Sequence, residues 1–255
     1  MNEKTKSNKS SSLSGKMFLY EQPELLSPEA HGTMGFTPAD RPFEFVRHVR
    51  AVPLTMIEFG SAQRTYPIIF SELENPMPLA VVGLLDDVNL FVKDDGHWDE
   101  FAYLPTYLRC HPFTFAKEAG GQMAVVVDRS AASVSETPEY PFFNGNEPSE
   151  HTSALMELCT QFERERQRTV EYCRKLVELD LLATMRASHG SQGDADEKPL
   201  ADYVAIDAQK LDDLPADAIY ELHTSGFLSA SYLHLYSLEN WRHLMARRVA
   251  REAAA

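Results

Sequence analysis

Long apolar runs are what this chain most lacks. None of its 255 residues lies in a stretch approaching the roughly 20 apolar positions a membrane-crossing helix requires. The longest run, residues 79–85, has the length of a core strand. Positive charge is also scarce: 24 Lys and Arg stand against 38 Asp and Glu, a formal charge of −14. Such a surface repels phosphate backbones, so nucleic acid is not an expected partner. Cysteine is sparse, with Cys110, Cys159 and Cys173 alone. An odd number in a chain this long argues against a disulfide framework and for a reducing compartment. Cys159 and Cys173 fall in one predicted helix at a separation of roughly 21 Å, too far to bridge.

Several chemical signatures are missing as well. There is no G-x-x-x-x-G-K-[ST], no G-x-G-x-x-G and no G-x-S-x-G elbow. His223, His234 and His243 form no H-x-x-x-H pair, and Asp86-Asp87-x-Asn89 with Asp94-Asp95 lacks the glycine and final glutamate of an EF-hand loop. No metal and no cofactor are expected. The first residues, MNEKTKSNKSSSLSGK, lead into no apolar segment and do not read as a cleavable secretory signal. A cytoplasmic location is the expectation, with envelope association left open.

What is present is enough apolar material, 44% of the chain, for a large core. Residues 1–16 read as a disordered tail, and 17–42 as an extended segment wrapping the core, anchored by Phe18, Tyr20, Leu25 and Leu26. Strand signals dominate to about 127: residues 65–70, 79–85, 89–92, 114–116 and 123–128, with turns at Asp86-Asp87, Asp94-Asp95-Gly96 and Gly120-Gly121. From Leu155 to Leu181 apolar residues recur every three or four positions, which predicts one amphipathic helix over about 151–183. Residues 186–199 read as a flexible loop, 203–206 as a short strand, and Asp207, Pro215 and Gly226 as helix punctuation. A last helix is expected over about 227–249, with a fraying tail from Arg251. The fold class is therefore α+β: a mostly antiparallel β-rich part over 17–145 and a helical part over 146–255, packed as one unit.

The order of certain residues carries a resemblance. Val52-Pro-Leu-Thr-x-x-Glu-Phe59 precedes Tyr66-Pro-Ile-Ile-Phe70, Asn89-Leu-Phe-Val92, Asp95-Gly-x-Trp98 and Tyr103-x-Pro-x-Tyr107-x-Arg109. Val204-x-x-Asp207-x-x-Lys210, Leu222-x-x-x-Gly226 and His234-Leu-x-Ser-Leu-x-Asn240 follow. In this the chain resembles the bacterial SapC family, from about Met17 to Met245. The likeness implies a setting rather than a reaction. The family name comes from a surface-array locus, and other members are encoded beside halogenase-like proteins, cupin-like proteins and TonB-type receptors. Relatives carry a strand-rich stretch before Val-x-x-Asp, where this sequence reads as the polar loop 186–199.

The richest polar and aromatic cluster contains Asn89, Asp95, Trp98, Tyr103, Tyr107, Arg109 and His111. One reading makes it a binding site in which Arg109 meets an anion between aromatic rings. The other pairs Arg109 with an internal carboxylate such as Asp95 and uses the rings as boundary packing. Three functions stay open at this point. The first is a non-catalytic accessory protein recognising a protein or small anionic ligand. The second is an enzyme or enzyme subunit of an unrecognised class using Asp95, Tyr107, Arg109 and His111. The third is a surface-layer component.

Overall fold

A computed structural model describes residues 17–84, 88–117, 123–189 and 198–254. The 1–16 tail and the expected turns at Asp86-Asp87 and Gly120-Gly121 lie outside the described residues. The chain forms two compact units from interleaved stretches, Met1–Ala39 with Cys110–Thr160 and Asp40–Arg109 with Gln161–Ala255.

In the first unit, the expected pairing of residues 114–116 with 123–128 forms as the strands Phe113–Lys117 and Met123–Asp128. Pro23–Leu25 joins the free edge of Met123–Asp128, giving a three-stranded antiparallel sheet. Phe113, Val126 and Val127 are fully buried. Phe113 meets Phe142 edge-on at 5.2 Å, the geometry that ring quadrupoles favour. Of the anchors expected in the wrapping segment, Tyr20 is buried but Phe18 is 46% exposed.

The second unit is built on a five-stranded antiparallel sheet. Its order is Leu182–His189, Lys198–Ile206, Ile68–Phe70, Pro78–Val81, Ala51–Pro53. The apolar run at 79–85 is split: after Pro78–Val81 the chain leaves this sheet, and Gly83–Leu84 pairs with Val88–Asn89 instead. The expected loop at 186–199 is strand at both ends, Leu182–His189 and Lys198–Ile206 in antiparallel register. Only 190–197 lie outside the described residues; 186–189 and 198–199, expected as loop, are strand. Their polar side chains are the reason they read as a loop. Arg186 and Asp202 face water and bond each other across the pair, Nε to Oδ1 at 2.7 Å.

Helical boundaries also differ from expectation. The long helix is Glu150–Glu178, contributing residues 150–160 to the first unit and 161–178 to the second. It stops early because Asp180 adopts φ +52. The amide of Leu181 then reaches back to the carbonyl of Leu176 and that of Asp180 to Val177, which satisfies the last carbonyls. The helix expected over 227–249 is two, Phe227–Ser237 and Asn240–Ala254, and the second runs on through Arg251. Asp207 and Gly226 act as the sequence indicates. Asp207 accepts from the amides of Gln209 and Lys210, and Gly226 ends Ala216–Ser225 at φ +79. Pro215 stands at the cap, one residue before the position expected. Among the described residues no helix is long and apolar enough to cross a membrane.

Candidate functional site

The predicted cluster begins at a tight hairpin. Asp95 accepts from the amide of His97 at 2.9 Å, and this bond, more than the imidazole beside it, holds its carboxyl below the usual range. Gly96 turns the chain at φ +83, where a Cβ would lie 2.5 Å from Cβ of Arg41. The amide of Lys93 bonds the carbonyl of His97, and Val92 bridges Trp98. The turn expected at Asp94-Asp95-Gly96 is therefore real. It leaves Asp95 exposed at the tip while Trp98 turns inward to 7% exposure.

Inward, the aromatic side chains assemble in the second unit. Trp98 stacks on Phe91 with centroids 6.0 Å apart and meets Phe43 edge-on at 5.7 Å. Tyr66 is completely buried, crosses Phe91 edge-on at 4.7 Å and donates its hydroxyl proton to the carbonyl of Tyr103. Asn89, fully buried, donates to the carbonyl of Val46 and accepts from the amide of Phe91. Asn89 and Trp98 thus pack as core around Tyr66 and Phe91, and Tyr103, part-buried, meets Tyr66 through its carbonyl.

A guanidinium does sit over these rings, and it belongs to Arg247. Its central carbon lies 4.4 Å from the Phe91 centroid, and its Nη1 is 2.7 Å from Asp99. Burial alone would raise the Asp99 carboxyl, but the Phe101 amide and Arg247 outweigh it and hold it low. One turn on, Arg251 donates to the carbonyls of Asn89 and Val92. The sequence contained a signal for this, since Arg247 and Arg251 are four apart on one helical face; a tail expected to fray concealed it.

Residues 106–110 are helical, so Tyr103, Tyr107 and Arg109 do not line one side of a strand. Pro105 precedes the helix, and its carbonyl accepts from the amides of Leu108 and Arg109. Glu58 organises the region. It is 4% exposed, and its carboxylate accepts from the Thr55 amide and hydroxyl, the Tyr103 hydroxyl and the Thr106 amide at 2.7–3.0 Å. Burial first, and the Glu58 anion second, push the Tyr103 phenol up to about 12, so it stays a donor. Tyr107 packs its ring 5.9 Å from Phe162. Arg109 is exposed and makes no ion pair with Asp95.

His111 is a residue of the first unit. Its ring lies 5.4 Å from that of Tyr20, and Nε2 is 4.0 Å from Oδ2 of Asp128. Elsewhere, burial pushes the Cys173 thiol up to about 12, leaving little thiolate at neutral pH. His234 accepts at Nε2 from the Ile206 amide, 3.1 Å away. No group of three His, Cys, Asp or Glu among the described residues is placed to hold a metal ion.

Comparison with known proteins comes down to one finding. A family model described as SapC matches residues 26–244. No curated protein and no solved structure matches the chain.

Proposed function

The chain belongs to the SapC family, and from that premise we propose that it is a non-catalytic accessory protein that binds a protein or small anionic ligand. Recognition would run through the helix Thr106–Cys110 and the turn before it. The observation that carries this reading is Arg109. Its side chain is exposed, and among the described residues no carboxylate or hydrogen bond engages its guanidinium. Arg166, Arg186 and Arg247 by contrast each hold a carboxylate. A free fork of donors favours planar anions. Phe101, 89% exposed on the preceding turn, adds an apolar contact of the kind that anchors interfaces. Asn89, Asp95 and Tyr103 of the predicted cluster have structural hydrogen-bond partners, which supports binding over catalysis. Asp95, Trp98, Tyr103 and Tyr107 then act as supports for this surface rather than contacts.

The test is recovery of partners on immobilised protein from cell extract, with a panel of small carboxylates and phosphates titrated in parallel. Arg109→Glu and Phe101→Ala should each abolish recovery or lower affinity at least tenfold. Because both side chains are exposed, the unfolding midpoint should stay put. Equal binding by the folded variants and wild type would remove the proposal. Cell fractionation would check the cytoplasmic placement that belongs to the same reading.

A further inference from the structure

In the first unit the residues just after the tail form a strap. Tyr20 is 6% exposed, and its hydroxyl donates to the carbonyl of Phe113 at 2.8 Å. Its ring lies against that of His111. The amides of Glu21 and Gln22 donate to the two oxygens of Asp128, and Pro23–Leu25 adds a three-residue edge strand. The segment pairs along one edge only, through three residues, and it includes Leu19 in the left-handed region at φ +67. Local opening is therefore the easiest motion available to it.

We propose that residues 17–25 are an acid-released strap, opened by protonation of the His111 imidazole that Tyr20 covers. The same Asp128 carboxylate ties down the strap and faces the imidazole, so the two are joined through one group. Among the described residues Asp128, on the strand Met123–Asp128, is a charged group that acts on His111. Tyr20 presents a neutral ring, and Glu21 presents its amide to Asp128. Glu24, further along the strap, faces His31 at 3.3 Å and Arg129 at 3.8 Å.

With the strap closed, burial holds His111 down to about 4 against the attraction of Asp128. With it open, water restores the ordinary value near 6.5. The open form binds the proton more tightly, so falling pH favours opening. Between pH 7.5 and 5 the open-to-closed ratio rises about 30-fold, and it levels off below about pH 4. Asp128 stays ionised through this window, because the Ser130 hydroxyl and three amides outweigh its burial and hold its carboxyl below the usual range. Release would bare the outer edge of the Met123–Asp128 strand, a row of unpaired main-chain groups.

Hydrogen exchange on the full chain, corrected for intrinsic rates, tests this. Protection of residues 20–26 should fall about 30-fold between pH 7.5 and 5 while residues 113–117 keep theirs. His111→Gln should remove the pH dependence, and His31→Gln should keep it. Strap protection independent of pH, equal loss in His111→Gln, or loosening of 113–117 in step with the strap would each overturn the proposal. Should His111→Gln not fold, wild-type NMR decides instead. The His111 ring signals and the strap amides must titrate with one midpoint, and separate midpoints refute the idea.

Discussion

Four donors converge on Glu58, and no cation among the described residues pairs with it. Such a carboxylate is held by geometry alone, and removing it strands every donor in a dry place. Glu58→Ala should cost about 3–5 kcal/mol and loosen the Tyr103–Thr106 turn; Glu58→Gln, which keeps one acceptor, about 1–3 kcal/mol. Urea unfolding of the two variants checks the order. The same scale shows what a sequence can display about a site. Trp98 is legible as a member of an aromatic group beneath a guanidinium, whereas Tyr107 packs elsewhere, on Phe162. Which arginine joins that group is not legible, because Arg247 lies far along the chain from Phe91. Nor is the role of Glu58, whose partners Tyr103 and Thr106 lie more than forty residues on.

At the scale of elements, local chemistry was read well where a cap or turn announces itself. Asp207, Gly226 and the hairpin at Gly96 behave as their residue types dictate. Boundaries without such a marker are not legible in the sequence. Asp180 ends the long helix in a conformation usually given to glycine, so nothing in the pattern flagged it. Asparagine tolerates that conformation and a β-branched side chain does not. Asp180→Asn should be nearly neutral, and Asp180→Val should cost about 1–2 kcal/mol. The surface ion pair of Asp180 with Lys210 adds little to either figure. Thermal unfolding of the two variants side by side measures the difference. Of the strand pair Leu182–His189 and Lys198–Ile206, only 203–206 reads as strand in the sequence, because the charged cross-strand pair of Arg186 and Asp202 looks like loop composition.

For the molecule as a whole, acid is the expected weakness. His234 is fully buried, and desolvation holds its imidazole down to about 3. Below pH 6.5 the unfolded chain takes up a proton there that the folded chain refuses. Stability contributed at neutral pH is therefore lost as pH falls from about 6.5 toward 3. From this group alone, unfolding free energy should drop by about 2 kcal/mol between pH 7 and pH 5. His234→Gln, which does not titrate but can still accept from Ile206, should flatten the slope. Denaturant midpoints across that range would show it.

The interleaving of the two units has a consequence for how the protein is made. Everything the first unit needs has left the ribosome once Thr160 emerges, whereas Asp40–Arg109 must wait for the second half of its own unit. Phe70 meets its sheet neighbour Val204 only after most of the chain has been translated. Until then Ala51–Pro53, Pro78–Val81 and Ile68–Phe70 can pair with one another, but the far edge of Ile68–Phe70 has no neighbour. A nascent chain of this design depends on holding those strands apart from one another's copies, and that interval is when a chaperone would matter most to it.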